Sequence, residues 1–240
     1  MGNNKRINRG KDSSDDKLFG SVKELNKLKL ALKDLHYLLT NGYAMRSSHQ
    51  LVSHRYRLTS RQMVALMGMS CSESNIQKRK NKEFSVENLK GKKLYIDGFN
   101  VLILLESLFS GAFIFKGLDG YYRDISSVHG TYKMVKQTEM VLKLVGKFFQ
   151  ELEVEKVIWI FDKPVSNSGK IKTTCLEIAE NHKYDWEVLL ELAPDKFLVT
   201  EDKLVCTSDA WILDHCSSSF NLMAFFIGNQ KMEFSIIDLD

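Results

Sequence analysis

Lys93-Leu-Tyr-Ile-Asp97-Gly98-Phe-Asn100-Val-Leu-Ile-Leu-Leu-Glu106 is the stretch on which the fold turns. Its first five residues read as a short apolar strand that ends in a carboxylate. Gly98-Phe-Asn100 then leads into an apolar helix from Val101 to about Phe109. The same grammar repeats downstream. A long helix is expected from Tyr132 to Leu152, and Lys156-Val-Ile-Trp-Ile-Phe161 is a second strand, again closed by an aspartate, Asp162. A loop over 163–169 and a helix to about Asn181 follow. Val188–Glu191 reads as a third strand and Leu204–Cys206 as a fourth, ending at Thr207-Ser208-Asp209 with a helical Ala210–Asp214 behind it. Glu233–Ile237 reads as a final strand. Strand–helix alternation of these lengths calls for a mostly parallel sheet covered by helices on both faces, an α/β fold. Between the first helix and the long one, residues 111–130 carry four glycines among alternating apolar residues, the pattern of a hairpin or structured loop.

Upstream of Gly91 the texture differs. Residues 1–20 are polar and without periodicity and are expected as a disordered tail. Ser21-Val-Lys-Glu24 has the form of a capping box and opens a helix with Leu25, Leu28, Leu32, Leu35 and Leu39 on one face. Asn41-Gly42 closes it. Helices over Ala44–Arg57, from Thr59-Ser-Arg-Gln62 to Met69, and over Ser72–Lys82 complete a small all-α module spanning 21–90, ahead of an α/β domain spanning 91–240. Residues 1–93 hold 20 Lys and Arg against 8 Asp and Glu, whereas 94–240 hold 14 against 22. A basic block beside an acidic one suggests a polyanion-binding part joined to a part that gathers carboxylates. Arg55, Arg57, Arg61, Lys78, Arg79 and Lys80 are the candidates for phosphate contact.

Several classes are excluded. No run approaches the ~18 apolar residues of a membrane span. The N-terminus lacks the apolar segment of a signal peptide, and Arg6 stands where a myristoylation pattern wants Ser or Thr. The expectation is a cytoplasmic protein with no membrane partner. Cys71, Cys175, Cys206 and Cys216 include no paired spacing, so they read as buried free thiols rather than zinc ligands. The reading admits a homo-oligomer.

Ligands of open parallel sheets sit outside the carboxyl ends of the strands. Three strands here deliver Asp97, Asp162 and Asp209 to that end, and Asp214 follows five residues after Asp209. If those strands are neighbours, their carboxylates repel one another, and a divalent cation with oxygen-only ligation, Mg²⁺ or Mn²⁺, relieves the repulsion. Such an ion activates water for in-line attack on a phosphodiester. Glu106, nine residues past Asp97, is a further candidate ligand. Asp119-Gly-Tyr-Tyr-Arg123-Asp124 sets an arginine between two carboxylates, either a phosphate clamp or an internal pair. Ser166, Ser168 and Lys170, in the loop after Asp162, would suit a phosphate, although the loop lacks the Walker A pattern. His129, His182 and His215 read as surface or packed histidines.

Asp97-Gly-Phe-Asn100-Val-Leu resembles the first motif of the PIN and NYN nuclease superfamily. Ile160-Phe-Asp162 resembles its second acidic strand end, and Thr207-Ser208-Asp209 with Asp214 resembles its last motif. Over residues 25–230 the chain also looks like archaeal-type proteins in which a DUF434 domain precedes a PIN-like DUF5616 domain. The runs that carry this likeness are LHYLLTNGY, LVSHRYRLTSRQ, IDGFNVLILLES, DGYYRDISSVHGTY, DKPVSNSG and TSDAWILD. The resemblance implies a PIN-like fold with Asp97 binding metal. It implies RNA as substrate, with Asn100, Ser166 and Ser208 orienting it and Arg123 and Lys170 holding phosphate. Glu106, Asp119 and Asp124 compete for the place of the helical acidic partner. The alternatives are a non-catalytic RNA- or nucleotide-binding protein and a small-molecule phosphohydrolase.

Overall fold

Lys93–Asp97 (β1) is the middle strand of a five-stranded, all-parallel sheet in the computed structural model, which describes residues 9–126, 130–229 and 232–240. Residues 1–8 of the expected tail and His129 lie outside the described residues. Beside β1 on one side run Lys156–Asp162 (β4) and then Trp186–Glu191 (β5). On the other side run Leu204–Cys206 (β6) and then Ser218–Ser219 (β7). The chain thus steps outward from β1 to β4 and β5 and returns to the opposite flank at β6. The reversal lies between β1 and β6, the place where open α/β sheets leave a crevice at their carboxyl ends.

Side-chain parity assigns the two faces, because successive residues of a strand point to opposite sides. Leu94, Ile96, Val157, Trp159, Phe161, Leu204 and Cys206 enter one core. That core is shared with Gly98–Phe109 (α6), Thr138–Glu151 (α7), Ser168–His182 (α8) and Leu222–Asn229 (α11). Ile158, Ile160 and Val205 face the other way, against Leu198 of Pro194–Leu198 (α9) and Ile212 of Ala210–His215 (α10). The long helix begins at Thr138 rather than Tyr132; the approach to it is a loop that buries Tyr132 beneath Phe99.

The N-terminal region is helical: Asp15–Phe19 (α1), Val22–Thr40 (α2), Met45–Arg55 (α3), Ser60–Met69 (α4) and Glu73–Lys82 (α5). Ser21 caps α2 through the Glu24 amide, and Thr59 with Gln62 forms a full capping box on α4. Residues 9–20 are folded, contrary to the expected tail, because two arginines find buried carboxylates. Arg61 grips the buried Asp15 with two hydrogen bonds of 2.6 and 2.8 Å, and Arg9 pairs with the buried Glu106. Ile114–Lys116 (β2) and Tyr122–Arg123 (β3) form the hairpin, and the last strand, Ile236–Ile237 (β8), joins β2 rather than the large sheet. Phe115, Ile237 and Leu239 thereby enter the core of the helical region with Leu28, Leu35 and Leu66. All four cysteines are buried free thiols, as expected.

Gly98 lets α6 leave β1 so close to β4. A Cβ there would lie 2.5 Å from the Phe161 ring and 2.7 Å from the Ile160 carbonyl oxygen. Backbone cannot yield as a flexible side chain does. We expect Gly98→Ala to lower stability by about 2–3 kcal/mol, in the range of overpacked cores, read as a drop in the urea midpoint without a change of slope.

Candidate functional site

Parity decides which acidic side chains meet. Asp97 continues the face of Tyr95, and Asp162 continues that of Ile158 and Ile160. Thr207, one past the Ile96–Cys206 pair, stands beside Asp97 on the same side. Its hydroxyl donates to Asp97 Oδ2 at 2.7 Å and accepts from the Asp209 amide at 3.0 Å. The loop after β5 brings in a fourth carboxylate, Asp195, in the first turn of α9 on that face.

Asp97 is only 7% exposed, and although it occupies the N-cap position of α6, no helix amide takes its carboxylate. Burial, then repulsion from Asp209, Asp195 and Asp162, pushes its pKa up to about 7 against the opposing Thr207 hydrogen bond. Asp162 and Asp195 are raised too, by burial first and then by Asp195 and Asp209 respectively. None of these four carboxylates has an ion pair among the described residues. Asp209 divides its duties, since its Oδ1 caps α10 by accepting from the Ile212 amide at 2.9 Å. Among the described residues no three acidic, His or Cys side chains stand close enough to hold an ion as a group. Asp97, with Asp162, Asp195 and Asp209 around it, is the residue that could hold a hard cation of the Mg²⁺ kind, which keeps most of its waters and needs one or two carboxylates.

Asn100 is anchored beside this cup. Its Oδ1 accepts from the Ser208 amide at 2.8 Å and the Ser208 hydroxyl at 2.9 Å, which leaves its amide nitrogen as the donor for a ligand. The Ser208 carbonyl in turn accepts from Arg123 Nε at 2.9 Å.

Two expected ligands go elsewhere. Glu106 lies on the opposite face of the sheet with α6, where the Tyr132 hydroxyl at 2.6 Å, the Thr138 hydroxyl and Arg9 surround it. Burial raises its pKa against those three partners. Asp214 pairs with Arg79 Nε at 2.8 Å and accepts from Asn75 at 3.3 Å. Asp119 is an internal partner as well, held by Arg79 at 2.5 Å and by Arg123 at 2.7 and 2.9 Å. Burial works against its charge, but the two guanidiniums prevail and hold its pKa below the ordinary value. Arg123 is therefore a structural clasp rather than a free clamp. Asp124 accepts from the Ser126 amide at 2.6 Å, and burial brings its pKa to about 6.

The loop after Asp162 closes on itself. Asn167 takes a left-handed conformation at φ 71° and donates to the Tyr132 carbonyl at 2.7 Å, while the Ser168 hydroxyl donates to the Lys163 carbonyl at 3.2 Å. Ser166 and Lys170 are exposed beside it. Of the basic candidates on the helical region, Arg55, Arg57, Lys78 and Lys80 face solvent, whereas Arg61 and Arg79 are spent inside. Asp195 escaped the sequence reading because no strand ends on it; its signal was Pro194-Asp195, a helix start just past the third strand.

A family model described as a domain of unknown function (DUF5616) matches residues 86–225, more than half of the chain. The chain belongs to the DUF5616 family. A second model, described as a protein of unknown function (DUF434), matches residues 27–82, from the second turn of α2 to the end of α5. Uncharacterized protein MJ0935 of Methanocaldococcus jannaschii is 31% identical over 183 residues, which is 76% of this chain and 87% of that protein. No solved structure matches. The DUF5616 match contains Asp97, Asp162, Asp195 and Asp209, so the whole cup lies within the family domain, while Arg79 comes to the seam from the DUF434 part. No helix among the described residues is long and apolar enough to cross a membrane.

The raised pKa of Asp97 has a signed consequence for stability. The unfolded chain releases this proton near 3.8, the folded one near 7, so between those values the folded state holds more protons. Stability contributed by the protonated form is therefore lost as pH rises through that window. Without divalent cations we expect the unfolding free energy to fall from pH 5 to pH 8, with Asp97→Asn flattening the decline by roughly 2–4 kcal/mol. Parallel slopes for the two proteins in urea titrations across that range would refute the assignment.

Proposed function

We propose that this protein hydrolyses RNA phosphodiesters at the Asp97 cup with the help of Mg²⁺ or Mn²⁺, and that its α/β domain is PIN-like. The observation that carries this reading is a buried carboxylate at the carboxyl end of the central strand, repelled by three others and without a cationic partner among the described residues. Such an arrangement is costly in a bare protein and favourable around a divalent cation. Asp97 would be the direct ligand, with Asp209 and Asp162 acting directly or through water and Asp195 beside them. A cation bound there lowers the pKa of a water and offsets charge on the leaving oxygen. Thr207 fixes the orientation of Asp97, and the Asn100 amide nitrogen, aimed by Ser208, donates to a phosphate or ribose oxygen. The motifs around Asp97, Asp162 and Asp209 favour RNA through their likeness to PIN and NYN nucleases. The exposed arginines and lysines of α3 and α5 supply the polyanion affinity.

The spread of the carboxylates favours a second reading, in which the protein binds RNA or a nucleotide without cutting it. A labelled single-stranded RNA incubated with Mn²⁺ separates the two. We expect cleavage that EDTA abolishes and that Asp97→Asn reduces by more than the ~10–100-fold typical of losing an outer-shell partner. Cleavage that survives in the variant sinks the site assignment, and tight binding with no product supports the second reading.

A further inference from the structure

A cleft of about 640 Å³ opens where the helical region meets the α/β domain, with Asn100, Ser208 and Asp209 in its lining. We propose that this cleft is a nucleobase subsite, holding one base of the substrate strand against Trp211 while its phosphate lies at the acidic cup. The word substrate rests on the hydrolase reading; the base-binding cleft itself does not.

Three observations identify the occupant. The first is the walls. Tyr43, Met45, Val64 and Met67 of the helical region line it together with Trp211 of α10, and all five are among the large apolar side chains left exposed. Isolated exposed apolar residues are ordinary, but five gathered in one concavity mark a site for an apolar-faced ligand. Trp211 is 46% exposed, and His215 stacks on it with ring centroids 4.4 Å apart. His215 thus braces the indole, which keeps nearly half of its surface exposed on the cleft wall, where a planar ring can stack.

The second is the charge. The arginines lining the cleft are Arg79 and Arg123, and both guanidiniums are committed to Asp119, with Arg79 also bound to Asp214. Asp124, Asp209 and Asp214 line it as well. Among the described residues its lining therefore holds three carboxylates and no uncommitted cation, which disfavours a phosphate and suits a neutral ring bearing N–H donors. Amino-bearing bases such as adenine and cytosine have that edge. The third is position: Asp209 belongs both to this lining and to the carboxylates that surround Asp97. A base in the cleft puts the sugar–phosphate that follows it at the cup.

Heteronuclear NMR of the full chain in EDTA tests this without any turnover. The probes are adenosine and cytidine in the millimolar range, with ribose as control. We expect the nucleosides to shift the Trp211 indole signal and to leave the buried Trp159 signal in place, and ribose to shift neither. Trp211→Ala should weaken nucleoside binding about 5–100-fold, the usual loss on removing a base-stacking ring. Val64→Asp, also at an exposed position, should weaken it as well, with circular dichroism confirming that both variants fold. Equal shifts from ribose, no shift from either nucleoside, or full binding by both variants overturns the subsite. Nucleoside binding without RNA cleavage leaves the subsite standing and removes the hydrolase reading; cleavage without nucleoside binding does the reverse.

Discussion

Arg79 carries a full charge into the seam between the helical region and the α/β domain, where it is only 3% exposed. Burial works against that charge, and Asp214 and Asp119 overcome it, so the guanidinium stays protonated. A pair of this kind adds little net stability compared with a well-packed apolar core, but removing one partner strands the other and costs about 3–5 kcal/mol. Its value is geometric. Asp119 also holds Arg123, Arg123 holds the Ser208 carbonyl, and Ser208 holds Asn100 beside Asp97. A single chain of hydrogen bonds, charge-assisted as far as the Ser208 carbonyl, thus runs from α5 of the helical region to the rim of the acidic cup.

The contrast between Asp119 and Asp97 shows how the molecule spends its cations. Both carboxylates are buried. Two guanidiniums hold the first below the ordinary pKa, while the second is surrounded by its own kind and rises to about 7. A fold needing only stability would neutralise both or bury neither. Compensation at the seam and its absence at the end of the central strand is the pattern expected where the protein keeps one centre of negative charge for a ligand.

Much of this was legible in the sequence because the strands announce themselves. Lys156–Asp162 and Lys93–Asp97 are short apolar runs with an aspartate at the end, and that pattern gives both the sheet and two of its acidic residues, Asp97 and Asp162. Glu106 shows where spacing misleads. Nine residues after Asp97 brings it near along the chain, but α6 packs on the face that Leu94 and Ile96 enter, whereas Asp97 points to the other. Only parity joined to the choice of face by each helix settles that, and the choice is a tertiary decision. Asp214 and Arg79 were hidden for a related reason. Each reads as a functional charge on its own, and their partnership spans 135 residues. The first folded turns, at 9–20, were missed because their polar composition conceals two arginine–carboxylate pairs with distant partners.

The family matches end at residues 82 and 225, yet the folding unit does not divide there. Ile237 and Leu239, beyond both matches, are buried with Phe115 against Leu28, Leu35 and Leu66 of the helices. Phe84, between the two matches, donates its amide to Ser219 at 2.7 Å, and Glu83 forms a parallel bridge with Ser219 at the edge of the large sheet. A cut at the apparent boundary would expose one core, unpair an edge strand and leave Asp119 and Asp214 without Arg79. The helical region is therefore a wall of the α/β domain rather than an appendage to it. Any ligand that reaches the acidic cup from the α10 side meets that wall first, because the cleft there is lined by both the helices and α10.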